Sequence, residues 1–242
     1  MKAITRRVWW VLASCATWSL HAEGLVLDTE DYPPFNMRVH EQVGGLSTDL
    51  LREALRRAGI QAEFRIVPLA RAIMESRYNA DHCVYSVVRS AQRETWYKWV
   101  APLAEDKITL FARADSPIQL DSFADAKRYR VGGYMGDAYG DYVERQGVVL
   151  DRAASDVLNI QKLLTGRIDL WVGGSVSVPY RMMLDGRRNA VKPIISGGEE
   201  RDGQMWLACH PATNDELIGR LRTALKSVEA DGTAALIVSR YR

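Results

Sequence analysis

Residues 47–67 read Ser-Thr-Asp-Leu-Leu-Arg-Glu-Ala-Leu-Arg-Arg-Ala-Gly-Ile-Gln-Ala-Glu-Phe-Arg-Ile-Val, and their hydrophobic period changes partway along. Leu50, Leu51, Ala54, Leu55 and Ala58 fall on one face of a helix, Gly59 stops it, and Ala62 to Val67 follow as a strand. Ser47 or Thr48 is placed to cap that helix. A helix that hands over to a strand within a few residues is the repeating unit of an α/β protein, and the alternation continues on both sides. Upstream, Leu25 to Thr29 forms a short strand, ended by Tyr32-Pro33-Pro34-Phe35, where each proline fixes φ and removes a donor. Downstream come a helix over Leu69 to Arg77 and an apolar, β-branched strand over His82 to Val88, suited to burial on both faces.

A second series follows residue 110. Arg130 to Gly133 reads as a strand, a turn at Tyr134-Met135-Gly136 leads into a helix from about Asp137 to Gln146, and Val148 to Leu150 is another strand. Ser155 is placed to cap a helix carrying Leu158, Leu163 and Leu164, which Gly166 ends before a strand at Ile168 to Val172. The chain closes with a strand from Met205 to Cys209 and a long helix bearing Leu217, Leu221, Leu225 and Val228, ended by Gly232. Two α/β series imply two lobes with mainly parallel sheets and a ligand cleft between them.

Composition excludes several classes. Of 242 residues 47% are apolar and 26% charged, which rules out disorder and a small disulfide-held scaffold. The net charge is +2, but residues 1–22 hold Lys2, Arg6 and Arg7 and no acid, so the remainder is one unit negative. The basic footprint of a nucleic-acid binder is absent. Those first residues form a positive start, an apolar stretch from Val8 to Leu20 and a small-residue exit at Ala22, the pattern of a secretory signal peptide over 1–22. Leu12-Ala13-Ser14-Cys15 also matches a lipobox, which would lipidate Cys15; ordinary cleavage is the reading adopted because the preceding apolar run is short. The expected location is the periplasm. In an oxidising compartment Cys83 and Cys209 can bridge or remain two buried thiols.

Five stretches in order carry a resemblance: Tyr32-Pro33-Pro34-Phe35; Gly45 to Leu51; Asp81 leading through Ser86 to Ser90-Ala91-Gln92-Arg93-Glu94; Gly166-Arg167-Ile168-Asp169; and Glu229-Ala230-Asp231-Gly232-Thr233. Together they resemble the family 3 periplasmic solute-binding proteins, which include polar amino acid receptors of ABC importers. The resemblance implies a type II periplasmic-binding fold with residues 25–106 plus 206–242 in one lobe and 107–205 in the other. It also implies adjacent strands for Cys83 and Cys209, and a monomer that takes a small-molecule ligand to a membrane permease or to a membrane-bound sensor. Arg93 matches the position whose guanidinium clamps a ligand α-carboxylate, a geometry the planar fork suits. Ser86 matches a hydroxyl facing the same group, and Tyr32 an aromatic residue packed on the ligand. Asp137 and Tyr139 occupy the turn where the family presents a helix N-terminus to the carboxylate, and the acidic Asp137 there argues against a simple clamp.

One departure concerns charge. Where the amino acid receptors carry an Asp for the ligand ammonium, this chain reads Gly173-Gly174-Ser175. Either Glu30 or Asp137 substitutes, or the ligand is not a standard amino acid, which is the reading preferred on sequence. Arg71 and Arg89 are assigned to surface solvation, Trp171 and Trp206 to the core, and Tyr134 stands between core and site. His82-Cys83 and Cys209-His210 cannot converge on a metal because neighbours along a strand face opposite sides. No catalytic residue or cofactor is nominated. The expected function is a receptor for a small polar, carboxylate-bearing solute, an amino acid or a relative. The alternatives are a sensor protein and a lyase resembling the cyclohexadienyl dehydratases of this fold.

Overall fold

The computed structural model describes residues 24–241. The expected signal peptide over 1–22, with Cys15, lies outside them. In the first lobe the chain forms β1 (Leu25–Thr29), a hairpin of β2 (Met37–Val39) and β3 (Gln42–Gly44), α1 (Leu46–Ala58), β4 (Ala62–Ile66), α2 (Leu69–Tyr78), β5 (His82–Val88) and β6 (Lys98–Glu105). It crosses at Asp106 into β7 (Ile108–Arg113), β8 (Val131–Tyr134), α3 (Ala138–Arg145), β9 (Leu150–Ala153), α4 (Val157–Leu164), β10 (Leu170–Gly174), α5 (Ser177–Leu184), β11 (Val191–Gly197) and the short α6 (Glu200–Gly203). It returns as β12 (Gln204–Cys209) and ends with α7 (Asp215–Ala230) and α8 (Thr233–Ser239).

The two five-stranded sheets have the orders β4-β1-β5-β12-β6 and β11-β7-β10-β8-β9. Both are mixed, where the alternation suggested mainly parallel pairing. Every antiparallel pair in them involves β7 or β12, strands at the crossings, while β4-β1-β5 and β10-β8-β9 are parallel. Strands β6, β7 and β11 lie outside the alternation read from sequence; Lys98, Pro102 and Pro193 interrupt their patterns. The strands expected at 148–150 and 168–172 sit two residues later, at β9 and β10.

Capping also departs from expectation. Helix α1 starts at Leu46, and Gly45, at φ 113°, precedes it. A Cβ at Gly45 would lie 2.5 Å from the Phe35 carbonyl oxygen, so only glycine fits. The first-turn N–H groups of Leu46 and Ser47 donate to Pro34 and Phe35 carbonyls at 2.9 and 2.8 Å, which leaves Ser47 and Thr48 no capping role. Thr48 is buried instead, its hydroxyl 2.9 Å from that of Tyr85. In α4 it is Asp156, not Ser155, that stands at the N-cap, and of the helix's leucines Leu163 is buried while Leu158 is 50% exposed.

The first core packs Leu51, Leu55 and Ala54 of α1 and Leu221 and Val228 of α7 onto Leu27, Tyr85 and Leu207 of the sheet. The second packs Ile108, Leu110, Leu170 and Val172 against Val143 of α3, and on the opposite face Trp171 packs with Phe111, Leu163 and Met182. Full burial of such a side chain contributes about 1.5–3 kcal/mol. Cys83 and Cys209 face each other across β5 and β12 and form a disulfide inside the first core. Neighbouring His82 points elsewhere, to the buried Asp28 carboxylate at 2.9 Å, which Arg65 also holds at 2.8 Å.

Candidate ligand site between the lobes

The parallel strands of both sheets aim their carboxyl ends at the interlobe space, which brings residues from loops far apart in sequence onto one cavity. Glu30 and Tyr32 follow β1; Ser86 lies near the end of β5, and Arg93 in the loop beyond; Tyr134 ends β8; Asp137 and Tyr139 open α3. All line one cavity with Leu69, Val88 and Met205. Its volume is about 20 Å³, close to the space of a single water, so a solute enters only when the lobes part. A groove of about 1010 Å³ shares Val88 and Ala138 with it and runs to the surface past Arg89, Glu94, Asp141 and Arg145.

Arg93 is 4% exposed. Its guanidinium donates to the carbonyl oxygens of Val88 at 3.2 Å in its own lobe and of Gly136 in the other. Burial lowers its pKa, but a guanidinium stays charged, so the cavity holds a cation bonded to main-chain carbonyls and to no carboxylate.

Ser86 is held by the sheet. Between Tyr85 and Val87 the register with β12 slips, since Leu207 faces Tyr85 while Trp206 faces Val87, and Ser86 is the extra residue. It adopts φ 57°, a left-handed conformation costing a non-glycine residue about 1–2 kcal/mol. The bulge turns its hydroxyl into the cavity, where it is buried without a hydrogen-bond partner. Backbone strain of this kind is most often found at binding and active sites.

Acids gather at the other side. The Glu30 carboxylate accepts the Tyr134 hydroxyl at 3.0 Å, a bond between lobes. Burial pushes Glu30 well above the ordinary carboxylate range; Asp137 and Asp156 add to the rise, and Tyr134 and Arg181 oppose it. Asp137 caps α3, accepting the N–H groups of Tyr139 at 3.0 Å and Gly140 at 2.9 Å. The helix N–H groups expected to meet a ligand carboxylate are therefore taken by the chain's own side chain. Burial raises Asp137 to about 7. Tyr32 and Tyr139 turn their hydroxyls to Asp106, at its Oδ2 (3.4 Å) and its carbonyl oxygen (3.2 Å).

All six residues singled out on sequence thus meet at one cavity, with Tyr134 beside them. Arg181, Asp31, Asp156 and Asp106 were not singled out. Buried Arg181 of α5 donates to the Asp31 carboxylate of the first lobe at 3.0 Å and lies 3.9 Å from Asp156. No local pattern distinguishes these residues, since their partners lie far away in sequence: Trp171 for Asp156, Val176 and Ser177 for Asp106, and Arg181 for Asp31. Arg71 and Arg89 pair with Glu75 and Glu94, and Arg89 also lies over Trp206.

The model described as bacterial extracellular solute-binding proteins, family 3, matches residues 25–242. The chain belongs to this family. No curated protein matches the sequence. Among solved structures, an ancestral arginine-binding protein bound to arginine is similar at 19% identity, over 90% of this chain and 98% of that one, with a TM-score of 0.80. The arginine-, lysine-, histidine-binding protein ArtJ of Geobacillus stearothermophilus matches at 17% identity, over 90% and 94%, with a TM-score of 0.78. A histidine kinase sensor domain with similarity to periplasmic binding proteins matches at 19% identity, over 90% and 95%, with a TM-score of 0.80. At these identities the likeness shows the type II periplasmic-binding fold shared by family 3 members.

Two outcomes follow from this geometry. Ser86→Gly relieves the left-handed strain but adds backbone freedom to the unfolded chain, so urea denaturation should show stability unchanged or raised by up to about 1 kcal/mol, whereas Ser86→Val should lower it. Asp137 titrates higher folded than unfolded, so its favourable contribution is complete below the ordinary aspartate range and is lost as pH rises through about 7. Because Asn caps helices as well as Asp, the urea midpoint of Asp137→Asn should pull ahead of wild type from pH 4 upward and level off above about 7.

Proposed function

We propose that the chain is a receptor whose lobes close over a small polar, carboxylate-bearing solute, an amino acid or a relative. The observation that carries this reading is Arg93: a buried guanidinium, bonded to carbonyls alone, lining one cavity with the unpartnered hydroxyl of Ser86. A carboxylate fits the guanidinium fork in two parallel bonds and leaves a third contact for Ser86. Glu30, with Tyr134 as its hydrogen-bond partner, stands ready for an amine on the same solute, supplying the acid that position 174 lacks. Tyr32 and Tyr139 enclose the carbon skeleton, and Asp137 shapes the second-lobe wall.

In this reading the receptor works in the periplasm after cleavage of residues 1–22, folds as lobes of 25–106 plus 206–242 and 107–205, and delivers its solute as a monomer to an ABC permease. Likeness in fold to the substrate binding protein of an amino acid ABC transporter supports a transport role. A sensor role is the second reading, favoured by the histidine kinase sensor domain of equal similarity.

The test is a thermal-shift screen of the purified protein against amino acids and amine-free organic acids at millimolar concentration. Stabilisation by at least one carboxylate-bearing solute is expected, with loss of that shift in Arg93→Ala while the far-UV circular dichroism remains that of wild type. Stabilisation by none of them, or a shift that survives Arg93→Ala, contradicts the reading.

A further inference from the structure

Asp106 occupies the first crossing between the lobes and is 2% exposed. Its Oδ1 accepts the N–H groups of Lys107 at 2.9 Å and Val176 at 2.8 Å and the hydroxyl of Ser175 at 2.9 Å. Its Oδ2 accepts the N–H of Ser177 at 3.1 Å and the hydroxyl of Tyr32 at 3.4 Å. One carboxylate therefore satisfies the start of α5 in the second lobe and reaches a cavity residue of the first. The main chain of Asp106 adds two ties: its N–H donates to Gly203 at the return crossing at 3.0 Å, and its carbonyl accepts the Tyr139 hydroxyl at 3.2 Å.

Position 174 depends on this arrangement. A Cβ at Gly174 would lie 1.8 Å from Asp106 Oδ2 and 2.4 Å from the Tyr32 hydroxyl, so the volume a side chain would fill there is already taken. Neither neighbour can give way cheaply, because the carboxylate is pinned by four donors of the second lobe and its own backbone, and the phenol is buried beside it.

We infer that Asp106 is the positioning residue of lobe closure, fixed to the second lobe and engaged by Tyr32 of the first only when the lobes meet over the cavity. Gly174 is the small residue that makes room for that contact. The tie also sets the chemistry of the cavity wall. Tyr32 and Tyr139 both give their protons to Asp106, so their oxygens present lone pairs, not donors, to whatever the cleft encloses. The assignment goes beyond the receptor reading and holds whichever solute is bound.

The test needs no ligand. Small-angle X-ray scattering of the full chain reports separation of the lobes as a larger radius of gyration, and circular dichroism reports whether each variant is folded. Asp106→Ala and Gly174→Ala should each enlarge the radius over wild type without loss of secondary structure. The double variant should be no larger than Asp106→Ala alone, because removing the carboxylate takes away the nearer obstacle and opens space into which the Tyr32 hydroxyl can move. Tyr32→Phe, which removes one hydroxyl and nothing else, should shift the radius in the same direction and keeps the test valid if the Asp106 variant fails to fold. A wild-type radius in folded Gly174→Ala or Tyr32→Phe, or additive expansion in the double variant, overturns the assignment.

Discussion

A guanidinium cannot release its proton at any physiological pH, so burying one obliges the protein to surround it with acceptors or to leave the place for an anion open. Arg93 sits in the seam between two lobes with carbonyl oxygens of both as its partners. The rest of the site is arranged around that charge. The sheets bring their parallel strand ends to the same seam, the loop after β5 delivers the guanidinium, and α3 of the opposite lobe starts where its carbonyl partner ends. Closing the lobes desolvates Arg93, and the solute that best offsets the cost is one that replaces carbonyl dipoles by a full negative charge.

Several local costs gather at this seam. Ser86 holds a left-handed conformation inside a strand, Glu30 keeps a carboxyl with a single side-chain hydrogen bond under burial, and Asp106 crowds the backbone of β10. The first two would be relieved by ordinary substitutions, glycine at 86 and glutamine at 30. The cores around Leu27, Leu51, Leu110 and Leu170 supply the stability that offsets these costs.

The sequence alone makes a good part of this visible. Helix periodicity around Leu50 to Ala58 and strand patterns on either side are local properties, so the α/β alternation and the two-lobed class emerge without tertiary information. The resemblance points to Arg93, Ser86, Tyr32, Asp137 and Tyr139, and charge reasoning to Glu30; they meet because all lie at or just beyond the carboxyl ends of parallel strands. What escapes is what another segment decides. Ser47 and Thr48 look like caps, but the prolines at 33 and 34 bring carbonyls over the helix start. Asp137 looks like a ligand contact, yet its nearest donors are the amides two and three residues on. Asp106 and Arg181 carry no pattern of their own, since their partners lie about 70 and 150 residues away in sequence.

The central claim is that Arg93 makes this cleft a carboxylate site. Native mass spectrometry of the protein purified from its source addresses it most directly, because a closed receptor retains its solute. The account predicts a small mass increment on the wild-type chain, released on unfolding, identified by fragmentation as a carboxylic acid and absent from Arg93→Ala. The same increment on both proteins, or a retained solute with no carboxylate, would contradict it.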